Sequence, residues 1–166
     1  MAHGNTVRDG SGSSFWHLID ALGRLRIYDD WTPELQSDIA ANDSDKTFTV
    51  PADTQWRVKW IWVEYTSDGN AGARQLAIEI QDDTADVIAQ MSVGITQAAS
   101  LTYNYLLAPN VTELAALRDA TYLTTIMPEW ILPEAHVVRV WDNNAVSAAG
   151  DDVIIHMMVE TRPMPA

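Results

Sequence analysis

QWRVKWIWVEY, residues 55–65, decides the fold class. The stretch is dominated by aromatic and β-branched residues, and its apolar positions recur every second residue rather than every third or fourth. It therefore reads as a β-strand. Trp56, Val58, Trp60 and Trp62 fall on one face, while Ile61, Val63 and Tyr65 fall on the other, which opens with Arg57 and Lys59. One phase does not suit both halves. Either the second half is apolar on both faces, so that one face meets something beyond the chain's own core, or a bulge switches the phase and turns everything inward.

Seven Trp against two Phe sharpen the first alternative. Trp is large and carries an N–H that needs a partner, so it favours interfaces and half-buried positions over deep cores. Trp16, Trp56, Trp60, Trp62 and Trp130 are accordingly the candidate subunit-interface residues.

Downstream and just upstream of this strand the same pattern repeats. Strands are expected at 47–50, 73–81, 86–93, 100–107, 121–127, 136–142 and 152–160. Leu76, Ile78 and Ile80 share a face, as do Leu101, Tyr103, Tyr105 and Leu107, and Val153, Ile155, Met157 and Val159. Turn residues separate the strands at 51–53, 67–70, 82–85 and 142–151. Pro128 and Pro133 bracket Trp130 and remove two backbone donors, which marks an edge or a crossover. One helix is suggested, over 111–119, with Thr112 as cap and Leu114 and Leu117 on one side. The whole is an all-β sandwich or barrel.

Residues 1–45 differ in character from 46–162. Residues 1–14 are polar and rich in Gly and Ser, as expected of a flexible arm. Residues 15–28 read as a hairpin whose second strand is LRIY, with a short helix over 15–22 as the competing reading. Residues 29–46 are acidic and lack alternation. They are expected to be linker, or one helical turn started by Thr32 and Pro33. The division is thus an N-terminal arm, hairpin and linker (1–45) followed by a sandwich domain (46–162).

The formal net charge is −13, from 23 acidic and 10 basic residues, and only Lys46 and Lys59 are lysines. Such a surface repels phosphate, so a direct nucleic-acid partner is not expected. Without Cys there is no disulfide, thiolate metal site or Cys nucleophile. No apolar run is long enough to span a bilayer, and no signal peptide opens the chain, so a soluble protein without a membrane partner is expected.

Catalytic constellations are not apparent. His3, His17, His136 and His156 have no second ligand at metal-binding spacing. No Ser sits in a nucleophile elbow, and no Gly-rich phosphate loop follows a strand. Asp82, Asp83 and Asp86 form a weak candidate Ca²⁺ loop, set against the plainer reading of solvated turn residues. Trp130 and Trp141 are the candidates for stacking a sugar. Neither an enzyme nor a cofactor is expected.

Three segments carry a resemblance. VPADTQWRVKWIWVEYTSDGNAGARQLAIEIQD, GITQAASLTYNYLLAP and LPEAHVVRVWDNNAVSAAGDDVIIHMMVETR resemble structural proteins of tailed bacteriophages, and DALGRLRI, residues 20–27, fits the same style. The likeness spans roughly residues 16–160 and rests on pattern and spacing. One departure is that Glu134-Ala135 follow Leu132-Pro133 where such chains carry Gly. The resemblance implies an antiparallel, jelly-roll-like β-sandwich built into the virion. Its implied role is a capsid decoration (cement) protein that stabilises the head by binding the major capsid protein and copies of itself, expected as a homotrimer. Tail, baseplate or fibre location and a carbohydrate-binding adhesin module are the alternatives.

Overall fold

The computed structural model describes residues 31–42, 45–72, 74–93, 95–111, 120–142 and 150–164, and the backbone of 5–8, 14–19 and 25–26. The chain divides into two compact units, Met1–Asp30 and Trp31–Ala166. In the first, β1 (Asn5–Arg8), β2 (Ser14–Ile19) and β3 (Leu25–Arg26) form an antiparallel sheet in that order. Leu18 faces Arg26 and Ile19 faces Leu25, which is the hairpin expected from sequence. Residues 5–8, expected within a flexible arm, are instead a strand paired with β2.

The second unit holds β4 (Thr32–Asn42), β5 (Lys46–Thr49), β6 (Thr54–Thr66), β7 (Leu76–Gln81), β8 (Val87–Ser92), β9 (Thr102–Ala108), β10 (Tyr122–Ile126), β11 (Trp130–Leu132), β12 (Val137–Asp142) and β13 (Asp152–Pro163). One sheet runs β10-β9-β6-β13-β4, with β11 also paired to β6; the other runs β5-β12-β7-β8. Without β10 and β11, eight strands remain, and they pair as nested partners. The first pairs with the eighth (β4 and β13), the second with the seventh (β5 and β12), the third with the sixth (β6 and β9), and the fourth with the fifth (β7 and β8). Those are the pairs of one long hairpin. Folding it over, so that β13 also meets β6 and β12 also meets β7, yields two four-stranded antiparallel sheets. This is a jelly roll, and the strand order alone defines it. β10 extends the edge beyond β9 as a parallel strand, and β11 lies antiparallel to the start of β6.

β4 corrects the sequence reading of 29–46. Its residues are neither linker nor helical turn but the first strand of the roll, paired with β13 along most of its length. The register shifts opposite Ile154, where Val153 faces Asn42 and Ile155 faces Asp38. The Lys46 side chain, at the start of β5, fills that irregularity. Its Nζ donates to Ala40 O at 2.7 Å and Asn42 Oδ1 at 2.8 Å, and pairs with Asp38 at 3.3 Å. The amine is buried but solvated by protein oxygens, which is what lets a lysine occupy the interior. The suggested helix over 111–119 lies almost entirely outside the described residues.

The core lies between the sheets. It is built from the alternating faces expected of β7, β9 and β13, with Leu76, Ile78, Ile80, Tyr105, Leu107, Val153, Ile155, Met157 and Val159 all buried. β6 meets this core through a bulge. Met158 of β13 faces Trp60, but the next residue, Val159, faces Val58, so Lys59 is the extra residue. Trp56 and Val58 point inward before it; Ile61, Val63 and Tyr65 point inward after it. The phase switch leaves Trp60, Trp62 and Glu64 on the outer face of the sheet.

Candidate functional site

The bulge at Lys59 creates the most unusual surface of the sandwich. Beyond it, β6 turns two tryptophans away from the core, and the neighbouring strands answer with apolar residues in register. Trp60 faces Met158, Met158 faces Leu35, and on the other flank Ala108 faces Ile126. The row Ile126, Ala108, Trp60, Met158, Leu35 therefore crosses five strands without a polar side chain. Its ends are open to solvent, with Leu35 51% and Ile126 66% exposed. A groove of about 330 Å³, lined by Trp60, Trp62, Leu106, Ala108 and Tyr122, runs along it. The next row is amphipathic. The Trp62 ring lies 5.4 Å from the His156 ring, and His156 Nδ1 shares a 2.7 Å hydrogen bond with Ser37 Oγ. An apolar row of this extent on a solvent-facing sheet is the mark of a docking surface.

Charges flank the row on both sides, toward the two ends of the strands. At one end Arg57 pairs with Glu160 at 3.2 Å and Glu129 at 3.5 Å, and Lys59 pairs with Glu160 at 3.6 Å. Trp31 lies between two guanidinium groups there, with Arg57 and Arg162 each 4.4 Å from its ring centre. The cation–π contacts hold both arginines in place. At the other end stand Glu64 and Asp152, facing Ile154 and Thr66 across the β6–β13 ladder.

The sequence-derived interface residues divide. Trp60 and Trp62 lie on this outer face. Trp56 does not: it is 2% exposed and packs inside the chain's own core, so it offers no surface to a partner. Trp130 faces Val58 and packs against the same core from β11, because register places it on the inner side. The side chain of Trp16 lies outside the described residues. Leu35, Leu106, Ala108, Tyr122, Ile126 and Met158 complete the face, and sequence reasoning missed them. Their signal is the position opposite a known core residue, which becomes readable only once register is known.

The acidic loop candidate is a turn. Asp82 Oδ1 accepts from Thr84 N at 2.9 Å, Thr84 Oγ1 at 2.8 Å and Asp86 N at 3.0 Å, and those bonds hold its carboxyl below the ordinary range. One of its carboxylate oxygens is thus engaged in closing the β7–β8 hairpin, and no group of carboxylates able to hold a metal forms among the described residues. Trp141 lies against the Arg139 guanidinium, 5.0 Å from its ring centre. Arg139 in turn donates to Glu79 at 2.7 Å and to Asp45. Burial raises the Glu79 pKa, but the bonds from Arg139 and Gln81 outweigh it and hold the carboxyl below its usual value.

One end of the sandwich contains a buried ionic cluster that no sequence motif announced. Arg74, fully buried, donates through Nε to Asp151 at 2.6 Å and through Nη2 to Asp68. Asp151 Oδ1 accepts from the Asp68 backbone N–H at 2.7 Å. The Tyr65 hydroxyl lies 2.5 Å from Asp142 and 3.0 Å from Asp151, and burial together with those carboxylates pushes its pKa well above the ordinary value. Gln97 bridges the next loop, donating to Tyr65 O and Leu101 O and accepting from Tyr105 Oη. Every polar group in this cluster is used to tie loops together, which is a structural role.

No protein-family model and no curated protein matches the sequence. Among solved structures, the chain is similar to dimeric latent PorU from Porphyromonas gingivalis, at TM-score 0.41 and 8% identity over 81% of this chain and 13% of that one. It is also similar to a chain of infectious bursal disease virus, Gx strain, at TM-score 0.36 and 12% identity over 82% and 34%. A third similar structure is an exo-beta-agarase, at TM-score 0.35 and 12% identity over 100% and 23%. The chain spans about a third or less of the length of each of these.

Proposed function

We propose that the chain is a structural protein of a tailed-bacteriophage particle, specifically a capsid decoration protein that binds the assembled shell as a homo-oligomer. The observation that carries this reading is the apolar row across the outer face of a jelly-roll sheet, in a chain whose buried polar groups tie loops together. A binding surface on a rigid sandwich suits a protein whose task is attachment. The resemblance of the segments within 50–162 to phage structural proteins supplies the context. The shell protein is the proposed partner, and the virion is the proposed location.

The mechanism is physical. A subunit that binds the assembled shell and not its separated subunits stabilises the shell by linkage, to an extent that grows with the logarithm of its free concentration once that exceeds its Kd. The acidic surface opposes nonspecific clustering and favours a basic patch on the partner. The test is to purify particles of the virus that encodes the chain, separate heads from tails, and quantify the chain by gel densitometry. The expected result is presence on heads in copy number comparable with the shell protein, with heads bursting at lower temperature after its removal. Presence only in tails, in a few copies, would replace decoration with a tail or baseplate role.

A further inference from the structure

The outer face of the six-stranded sheet has a feature beyond its apolar row, namely a polarity of charge along the strands. The end that carries Arg57, Lys59 and Arg162 holds three bases against Glu129 and Glu160. The opposite end carries Glu64 and Asp152 and no base among its outward-facing residues on β6 and β13. Trp60 and Trp62 lie midway between the two ends of β6. Over the whole chain the net charge is −13, so most surfaces of two copies repel each other, and this face is close to neutral.

We propose that two copies of this chain pack face to face through these sheets, about a two-fold axis that runs across the strands at the level of Trp60 and Trp62. A two-fold axis in that direction reverses the strands of one copy over those of the other. Arg57 of one copy then opposes Glu64 of the second, Lys59 lies over Trp62, and Arg162 opposes Asp152. Along β6, Glu64 lies seven residues from Arg57 and Asp152 faces Thr66 while Arg162 faces Gln55, so both pairs are disposed evenly about the same centre. An axis parallel to the strands would instead set basic end on basic end and acidic on acidic, so charge selects between the two packings. The axis passes between the two rows, so the apolar row of each copy lies over the Trp62 and His156 row of the other and every contact occurs twice, as an isologous interface requires. Two sheets packed face to face sit about 10 Å apart with their side chains interleaved. The groove beside Trp60 and the protruding Leu35 and Ile126 give each surface the depressions and projections that interleaving needs. The pairing does not depend on the virion reading, and it replaces the three-fold assembly expected from sequence.

The experiment is sedimentation equilibrium on the full chain, with circular dichroism on every variant to confirm folding. A dimer is expected for the wild type. Leu35→Glu and Ile126→Glu alter solvent-exposed side chains that the fold tolerates, and each is expected to weaken the dimer at least about tenfold by placing a charge in the apolar row. Val87→Glu, on an exposed position of the other sheet, is the control and is expected to leave the mass unchanged. Glu64→Lys and Arg57→Glu are each expected to weaken the dimer, and their combination is expected to restore it. A monomer, a trimer, or a dimer indifferent to both row variants overturns the proposal. Failure of the charge swap to rescue overturns the two-fold arrangement.

Discussion

At Ala135 the backbone takes φ = 63°, and the same left-handed region recurs at Asp53, Ala85, Ser100 and Asn110. Ala135 thus holds a conformation that suits glycine without being glycine. Its N–H is held by Val50 O at 3.0 Å, and the neighbouring Glu134 accepts from Asp53 N, which ties this turn to the start of β6. A left-handed Cβ costs about 1–2 kcal/mol, while Gly costs about 0.5–1 kcal/mol in the unfolded chain. Ala135→Gly is therefore expected to stabilise the protein by about 0.5–1 kcal/mol, read as a higher urea midpoint at unchanged slope. Arg74→Ala has the opposite sign. It strands Asp151 and Asp68 without their cation, and removing one member of a buried ion pair costs about 3–5 kcal/mol. The urea midpoint is expected to fall accordingly, whereas a loss below about 1 kcal/mol would mean that water solvates the pocket. Gly150 belongs to the same cluster, since a Cβ there would sit 2.8 Å from Asp68 Cβ. None of this was legible from sequence. Arg74 and Asp151 are separated by 77 residues; locally Arg74 reads as a residue of the 73–81 strand and Asp151 as ordinary turn chemistry. The left-handed turn at Ala135 was not legible either, because an alanine gives no signal of a positive φ.

Strands announce themselves in sequence when one face is buried and the other is not. β9 and β13 alternate for that reason, and their inward residues are those expected; β7 alternates in sequence although both its faces are buried, the outer one holding Glu79 against Arg139. β4 fails the criterion. It is an edge strand whose burial pattern is mostly exposed, it contains Pro33, and its pairing with β13 joins residues more than a hundred positions apart. Eight strands were expected in the sandwich and eight form the roll, but the sets differ. β10 is the expected strand that only extends the sheet, and β4 is the unexpected one that closes it. This gives a sharp truncation test. Residues 31–166 retain all eight strands and are expected to unfold cooperatively with the near-native signal of the sandwich. A chain beginning at residue 46 leaves one edge of β13 unpaired and removes every acceptor of the buried Lys46 amine. It is expected to be aggregated or unfolded. Native-like unfolding of the shorter chain would mean that β4 is an accessory of the fold. The bulge in β6 was legible as one of two alternatives, and the structure satisfies a part of each. The phase switches, as a bulge requires, yet the switch itself turns Trp60 and Trp62 outward.

For the molecule as a whole the decisive quantity is a net charge of −13 on a single chain. Self-repulsion of that size opposes the compact state, and it acts at long range, where salt screens it. The attractive charge pairs respond differently. Those of Arg74 are buried and nearly unscreened, and the exposed pairs of Arg57, Lys59 and Arg139 contribute little individually. Raising NaCl from about 0.01 M to about 0.15 M shortens the screening length from about 30 Å to about 8 Å, which crosses the dimensions of one sheet. Thermal stability is therefore expected to rise over this interval, by roughly 2–5 °C for a chain of this size. NaCl is the appropriate salt, because sulfate would strengthen apolar burial by itself and confuse the two effects. A Tm that falls with NaCl would mean that the surface ion pairs outweigh the repulsion, against the small values such pairs normally carry. The same screening acts between molecules. Acidic sandwiches keep apart at low salt and approach as salt rises, which lets the apolar row where β6 turns its tryptophans outward come into contact.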